Sequence, residues 1–226
     1  MKSFRFNEQK VVSLRHRIAD DIRKAILERK LKPGDRLVEQ EMSKQMGVSR
    51  GPIREALRVL ELEGLIHSQP FKETVVAEFS TEEVVEVLIP IRLTVETYAL
   101  RKALPNFIAE DFDFLEQCVT AMRKSGEEKN VLNLVESDLA FHEYIVMRSE
   151  VANVINIWKS IYYRIRLHFL IQDQMYEDIS SVWLQHQPLI DIMRTKNIDL
   201  ACSKLSNHIF DSNLDFLGIK AQNPPT

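Results

Sequence analysis

LKPGDRLVEQEMSKQMGVSRGPIREALRVLELEG, residues 31–64, holds two short helical patterns around a tight connection. In the first, Val38–Met46, the apolar residues Val38, Met42 and Met46 recur every four positions. In the second, Arg50–Glu63, Ile53, Leu57 and Leu60 share one face, while Arg50, Arg54 and Arg58 line another. Such spacing sets side chains in a row along one side of a helix. Gly47-Val48-Ser49 joins the two, with Ser49 where an N-cap belongs. Pro52 falls in the first turn, where a missing N–H costs little. The pattern predicts a helix-turn-helix with one face to bury and one face to read DNA.

An arginine row alone is also the ordinary pattern of a solvated face, so the surroundings decide. Upstream, Leu14, Ile18, Ile22 and Ile26 predict a helix that backs the pair. Downstream, Leu65-Ile66-His67 and Thr74-Val75-Val76-Ala77 predict short strands on either side of Ser68–Glu73, a wing with Lys72 near its tip. Three helices and a wing make a winged helix.

The stretch PGDRLVEQEMSKQMGVSRGPIREALRVLELEGLI resembles the DNA-binding domain of the GntR family of bacterial transcription regulators. Its GVSR-x-P-x-REAL core carries the resemblance, which spans residues 11–78. The resemblance implies that Arg50 and Arg54 approach the bases and backbone of an operator and that Ser49 holds a phosphate. Arginine suits both tasks, as a bidentate donor to guanine O6/N7 and as a phosphate clamp. With Gly51, Arg58 and Lys72, these form the expected DNA-facing set. Two positions depart from the family: Gln40 stands where some relatives carry arginine, and Glu73 stands where the wing usually turns through glycine.

The 226 residues, 45% of them hydrophobic, suffice for two small domains. No run approaches the ~18 apolar residues of a membrane span, and the polar start MKSFRFNEQK is no signal peptide. The expected location is the cytoplasm, with no membrane partner. Cys118 and Cys202 are too few and too far apart for a disulfide framework or a cysteine-based zinc site. Net charge is −3, but residues 1–78 carry 16 Lys+Arg against 12 Asp+Glu, or +4, and residues 79–226 carry 14 against 21, or −7. The basic excess lies with the helix-turn-helix, where phosphate attraction is needed.

Residues 79–226 read as almost entirely helical. Ser80 and Glu83 make a capping box, Pro90 breaks or kinks the pattern, and Ile91–Leu104 continues it. Further helical segments are predicted over Ala109–Lys124, Val131–Met147, Val151–Ile171, Ser180–Arg194 and Asp199–Leu217, with breaks at Ser125-Gly126, Arg148-Ser149-Glu150 and Thr195-Lys196-Asn197. The expected fold is mainly α: a winged helix over 1–78, then a six- or seven-helix bundle over 79–226.

Asp138 and His142 are spaced i,i+4 and project from one helix face; His186 and His208 lie in later helices. Bundles build metal sites from facing helices, and a carboxylate with three imidazoles suits zinc first, or nickel, manganese or iron. The same pair spacing also fits a local hydrogen bond or salt bridge.

Residues 80–217 resemble the all-helical ligand-binding (FCD-type) domain of the FadR branch of GntR regulators. The motifs appear in order: IR-x-x-x-E, D-x-x-x-H, Q-H-x-x-L-x-D-x-M and A-x-x-x-L-x-x-H-I. The resemblance implies that Asp138, His142, His186 and His208 hold a divalent metal. Pro188, two residues past His186, departs from the pattern and requires that helix to begin close to the ligand. Six-coordination would leave two positions open for a small carboxylate or hydroxy acid. Arg92 resembles the family's basic residue for an anionic effector, or else it forms a surface salt bridge with Glu96. Arg166, with Arg164 and His168, is a further candidate for lining the effector site.

These expectations describe a bacterial transcription regulator, a repressor before an activator. It would act as a homodimer on a palindromic double-stranded operator and respond to an effector in the bundle. A metal-dependent hydrolase is the competing class, but no recognisable nucleophile–base motif accompanies the ligands. A purely structural metal without effector is a third reading.

Overall fold

A computed structural model describes residues 14–68, 73–78, 80–171 and 179–216. The chain divides into two compact units, with the boundary between Ala77 and Glu78.

In the first unit, α1 (Leu14–Leu27) packs against α3 (Arg50–Leu62). Ile18, Ile22 and Ile26 are buried on one, and Ile53, Ala56, Leu57 and Leu60 on the other. Leu14, predicted to share the α1 stripe, is exposed at the helix's first residue. The intervening α2 (Glu39–Met46) buries no residue. Val38 precedes this helix and is exposed, and Met42 and Met46 are half-buried. An eight-residue helix braced mainly by α3 covers its apolar row only in part. Gly47 ends α2 at φ 65°, where its N–H donates to Ser43 O. Any side chain there would strain this left-handed turn.

Two strands, β1 (Ile66–Ser68) and β2 (Thr74–Val76), pair antiparallel with Ile66 opposite Val76. The segment before α2 joins them, since Leu37 N–H donates to Thr74 O and Val76 N–H to Asp35 O. Glu73, the departure in the wing, forms an ion pair with Arg36. The tip with Lys72 lies outside the described residues.

The second unit opens with Ser80 Oγ accepting Glu83 N–H at 3.0 Å. The return half of the expected capping box is replaced: the Glu83 carboxylate pairs with Arg164 instead. From α4 (Thr81–Glu83) the helix widens into a π turn, Val84–Leu88, and continues as α5 (Ile89–Ala103). Pro90 has no N–H to give Glu86, and the ladder opens so that Ile89 N–H reaches Val84 O. The proline therefore widens the helix without breaking it. After α5 come α6 (Ala109–Glu127), α7 (Val131–Arg148), α8 (Ala152–Ile171), α9 (Val182–Arg194) and α10 (Ile198–Phe216). With Thr81–Ala103 taken as one helix, the described residues form a six-helix bundle. Within it, α7 packs on α5, α6 and α8, while α10 packs on α5 and α9. Leu134, Phe141 and Ile145 of α7 lie fully within the core.

Ser125-Gly126, read as a break, is instead buried in the last turn of α6. These small residues admit another segment closely: a Cβ on Gly126 would stand 2.8 Å from Ile179 O and 2.9 Å from Ser180 Cα. Gly126→Ala should therefore destabilise the protein by about 1–3 kcal/mol through overpacking, despite the ~1 kcal/mol alanine gains in a helix. Urea unfolding measures the sign, and a net gain would mean that the 179–181 turn yields freely.

Candidate functional site

The α3 surface carries the expected DNA-facing residues. Arg50, Gly51, Arg54 and Arg58 are all exposed. Ser49 is the N-cap residue, with φ −70° and ψ 162°, but its side chain makes no capping hydrogen bond. A Cβ on Gly51 would meet nothing within 4 Å, so packing within the chain does not demand glycine there. The arginines are not independent, because one carboxylate holds two of them. Glu39 accepts from Arg54 Nε and Nη2, both at 2.9 Å, and from Arg50 Nη2 at 3.0 Å. The hydrogen bond from Arg54 is the chief cause holding the Glu39 carboxyl below its usual range.

In the second unit, Asp138 and His142 of α7, His186 of α9 and His208 of α10 come together. One ligand atom from each lies within 4.8 Å of all the others. Phe141 stands edge-on to His142 and His186, with ring centroids 5.5 and 5.0 Å away. The three histidines are buried. Pro188 sits inside α9, whose first residue, Val182, is one turn before His186.

The outer contacts of the rings fix their tautomers. His142 Nδ1 is 2.5 Å from Glu96 Oε2, so the proton belongs on that nitrogen. His186 Nδ1 faces the Val182 carbonyl at 3.1 Å, which can only accept. Ser212 Oγ donates its one proton to Gln185 Oε1 at 2.8 Å, leaving it to accept from His208 Nδ1 at 3.4 Å. Each ring then turns an Nε2 lone pair inward. His208 Nε2 lies 3.3 Å from His142 Nε2, and His186 Nε2 lies 3.0 Å from Asp138 Oδ1. Asp138 Oδ2 is buried without a hydrogen-bond partner. Such donors, converging with no proton assigned among them, fit a divalent cation of the zinc–nickel–manganese–iron group.

Charge supports the same protonation states. Burial pushes the His142 pKa below its ordinary value, with Glu96 opposing only in part. His208 is pushed well below its ordinary value, by burial first and then by the neighbouring histidines. Burial opposes ionisation of Asp138, but the adjoining His186 and His142 rings and the charge of Arg92 outweigh it and hold the carboxyl low. Glu96 is also held low, its burial outweighed by Arg92 and His142.

Arg92 Nε donates to Glu96 Oε1 at 2.5 Å, and its guanidinium lies 5.3 Å from the Phe169 ring centre. The surface salt bridge considered for this pair is thus corrected: both residues are buried. The charge of Arg92 is felt at Asp138 and His208. Arg166 is ion-paired with Glu136 on α7. Sequence reasoning missed Glu96 as the residue orienting His142. Its signal was the glutamate of IR-x-x-x-E, four positions after Arg92. Glu39 was likewise missed, because nothing local marks a partner eleven and fifteen residues away.

The family model for bacterial regulatory proteins of the gntR family matches residues 14–76, and that for the FCD domain matches residues 87–211. The chain is similar to the gluconate operon transcriptional repressor of Bacillus licheniformis, 26% identical over 200 residues, 86% of this chain and 82% of the relative. It is also similar to the probable D-xylose utilization operon transcriptional repressor of Paenarthrobacter nicotinovorans, 26% identical over 85% of this chain and 84% of the relative. Among solved structures, E. coli McbR/YncC matches with TM-score 0.77 at 19% identity, over 92% of this chain and 99% of that one. A transcriptional regulator from Rhodococcus sp. RHA1 also gives TM-score 0.77, at 20% identity and with the same coverage. Among the described residues, no helix is long and apolar enough to cross a membrane.

The buried imidazoles predict a pH dependence in chelated protein. Unfolded histidines take up protons as pH falls through about 6.5, whereas the fold resists protonation of His142 and His208. Stability should be level above that pH and fall below it, by up to ~1.4 kcal/mol per pH unit for each histidine. Contributions from Asp138 and Glu96 persist to more acid pH, because their folded pKa values are depressed. Urea unfolding with chelator, from neutral to about pH 5, tests this, and a flat profile would show that the histidines protonate freely in the fold.

Proposed function

The chain belongs to the GntR family of bacterial regulatory proteins, with an FCD domain following its helix-turn-helix, and is a DNA-binding transcription regulator. From that premise we propose that it is a homodimeric repressor whose operator affinity is set by a small carboxylate or hydroxy acid bound beside a divalent metal. Residues 1–78 serve as the DNA-binding domain, and 79–226 as the metal-binding, effector-binding and dimerising domain.

The single observation that carries this reading is the convergence of three imidazole lone pairs and the Asp138 carboxylate. Asp138, His142, His186 and His208 would hold the ion, with zinc first in expectation. The ion would supply a concentrated positive charge and coordination positions for an anionic oxygen ligand. Glu96 keeps His142 in the required tautomer, and Arg92 adds a second cationic centre to the same region. The relatives named for gluconate and D-xylose operons make sugar acids the first compounds to screen.

On DNA, Arg50 and Arg54 are assigned to base edges and backbone. Ser49 and Arg58 are assigned to phosphates, and Gly51 admits close approach of the duplex. Lys72 is assigned to the wing contact. A dimer presents two α3 helices to a palindrome, and effector binding shifts operator affinity only as far as the effector's affinity differs between the two states.

The proposal is tested first on metal. Purified protein should contain a stoichiometric divalent ion, and resupplying zinc after chelation should raise Tm. Saturation a thousandfold above Kd corresponds to about 4 kcal/mol, a gain that His142→Ala should largely lose. Protein that takes up no divalent ion after resupply would refute the site.

The effector is tested next, using gluconate and other sugar acids as probes. Arg92→Ala should keep operator binding while losing most of the response to an acid that shifts the parent. An undiminished response would remove Arg92 from the effector site.

A further inference from the structure

The carboxylate of Glu39 is engaged on both oxygens by the arginines of the next helix. Oε1 accepts from Arg54 Nε, and Oε2 accepts from Arg54 Nη2 and Arg50 Nη2. A guanidinium has five N–H groups in a planar fork. The bond pair to Glu39 consumes one side edge of Arg54: the Nε proton and one Nη2 proton. The opposite end, formed by one proton each on Nη1 and Nη2, is not consumed by this contact.

We propose that Glu39 is a specificity-determining positioning residue, which holds Arg54 by its side edge and thereby presents the Nη1–Nη2 edge to a guanine. This rests on the reading of Arg54 as a base-contacting residue. Guanine follows from the donor pattern: two parallel N–H groups require two neighbouring acceptors, and in the major groove O6 and N7 of guanine provide them. Adenine places a donor beside N7, and the pyrimidine edges lack the acceptor pair.

The restraint matters because the Arg50 and Arg54 side chains are more than half exposed, at 60% and 55%. Without Glu39, two flexible cations on an exposed helix face would bind phosphates of any sequence. With it, the pair of arginines shares a negative charge, reducing the net cationic charge offered to the backbone. Glu39 therefore lowers sequence-independent attraction while orienting the donor that discriminates bases. It does so without touching DNA, since a carboxylate brought to a phosphate would be repelled.

The test uses the whole chain and a pool of duplexes randomised across the footprint. The proteins are the parent, Glu39→Gln, Glu39→Asp, Arg54→Ala and the Glu39→Gln/Arg54→Ala double variant. Enriched duplexes and their single-base variants are then titrated at several salt concentrations, with helical content checked by circular dichroism. The parent should require a G·C pair at one position per half-site, and Arg54→Ala should abolish that requirement. Glu39→Gln should reduce it about tenfold, equivalent to roughly 1.4 kcal/mol. It should also bind unrelated duplexes at least as tightly as the parent and show a steeper salt dependence. Glu39→Asp, which keeps the charge but shortens the reach, should lose base preference while keeping the parent's salt dependence. In the Arg54→Ala background, Glu39→Gln should cause no further loss of preference. If Arg54→Ala loses the G·C requirement but both Glu39 variants retain it fully, the positioning role is overturned while Arg54 remains a base reader. If Arg54→Ala itself keeps the requirement, the reading of Arg54 falls and takes this proposal with it.

Discussion

Three imidazole lone pairs and a carboxylate aimed at one another, with the three rings buried, form an arrangement that repels itself unless something positive stands among them. His142, His186 and His208 are buried, and their outer nitrogens are committed to Glu96, the Val182 carbonyl and Ser212. A proton placed inside the cluster compensates only part of this electron-rich set, and burial works against adding further charge to the rings. A divalent cation compensates all of it. The bundle brings these four residues of α7, α9 and α10 together, and the rings' outer contacts favour deprotonated inward nitrogens.

The same centre extends outward through Glu96 to Arg92. A buried ion pair is weak evidence for stability, because desolvation opposes the attraction. Here the Glu96 carboxylate faces two partners, with Oε1 on Arg92 and Oε2 on His142. An anion approaching Arg92 would compete with Glu96 and disturb the hydrogen bond that orients His142. The continuous helix Thr81–Ala103 carries both residues and begins four residues after the unit boundary, with its π turn between that boundary and Arg92. A change at Arg92 thus occurs on the element that leads back toward the winged helix in sequence.

The winged helix was legible because its signals are local. Apolar spacing, Gly47, Ser49 and Pro52 all act within one or two turns, and α3 begins at Arg50 as expected. The cluster of Asp138, His142, His186 and His208 was expected only with help from the family resemblance, since spacing alone gave the Asp138–His142 pair and left His186 and His208 as scattered residues. What escaped was nonlocal. Ser125-Gly126 has the composition of a loop, yet contact with residues 179 and 180 makes it the tight packing point of a helix. Glu96 has the spacing of a surface partner for Arg92, yet His142, 46 positions on, draws it into the interior. Glu39 has the character of a first-turn helix acid, and only the fold sets it against Arg50 and Arg54.

The central claim concerns the coordination sphere, which X-ray absorption at the zinc edge of the reconstituted protein reads directly. The account predicts three imidazole nitrogens and at least one oxygen at about 2.0–2.2 Å, with imidazole scattering reduced by one ring in His186→Ala. A sphere containing sulfur, or one whose imidazole count does not change in that variant, would contradict it.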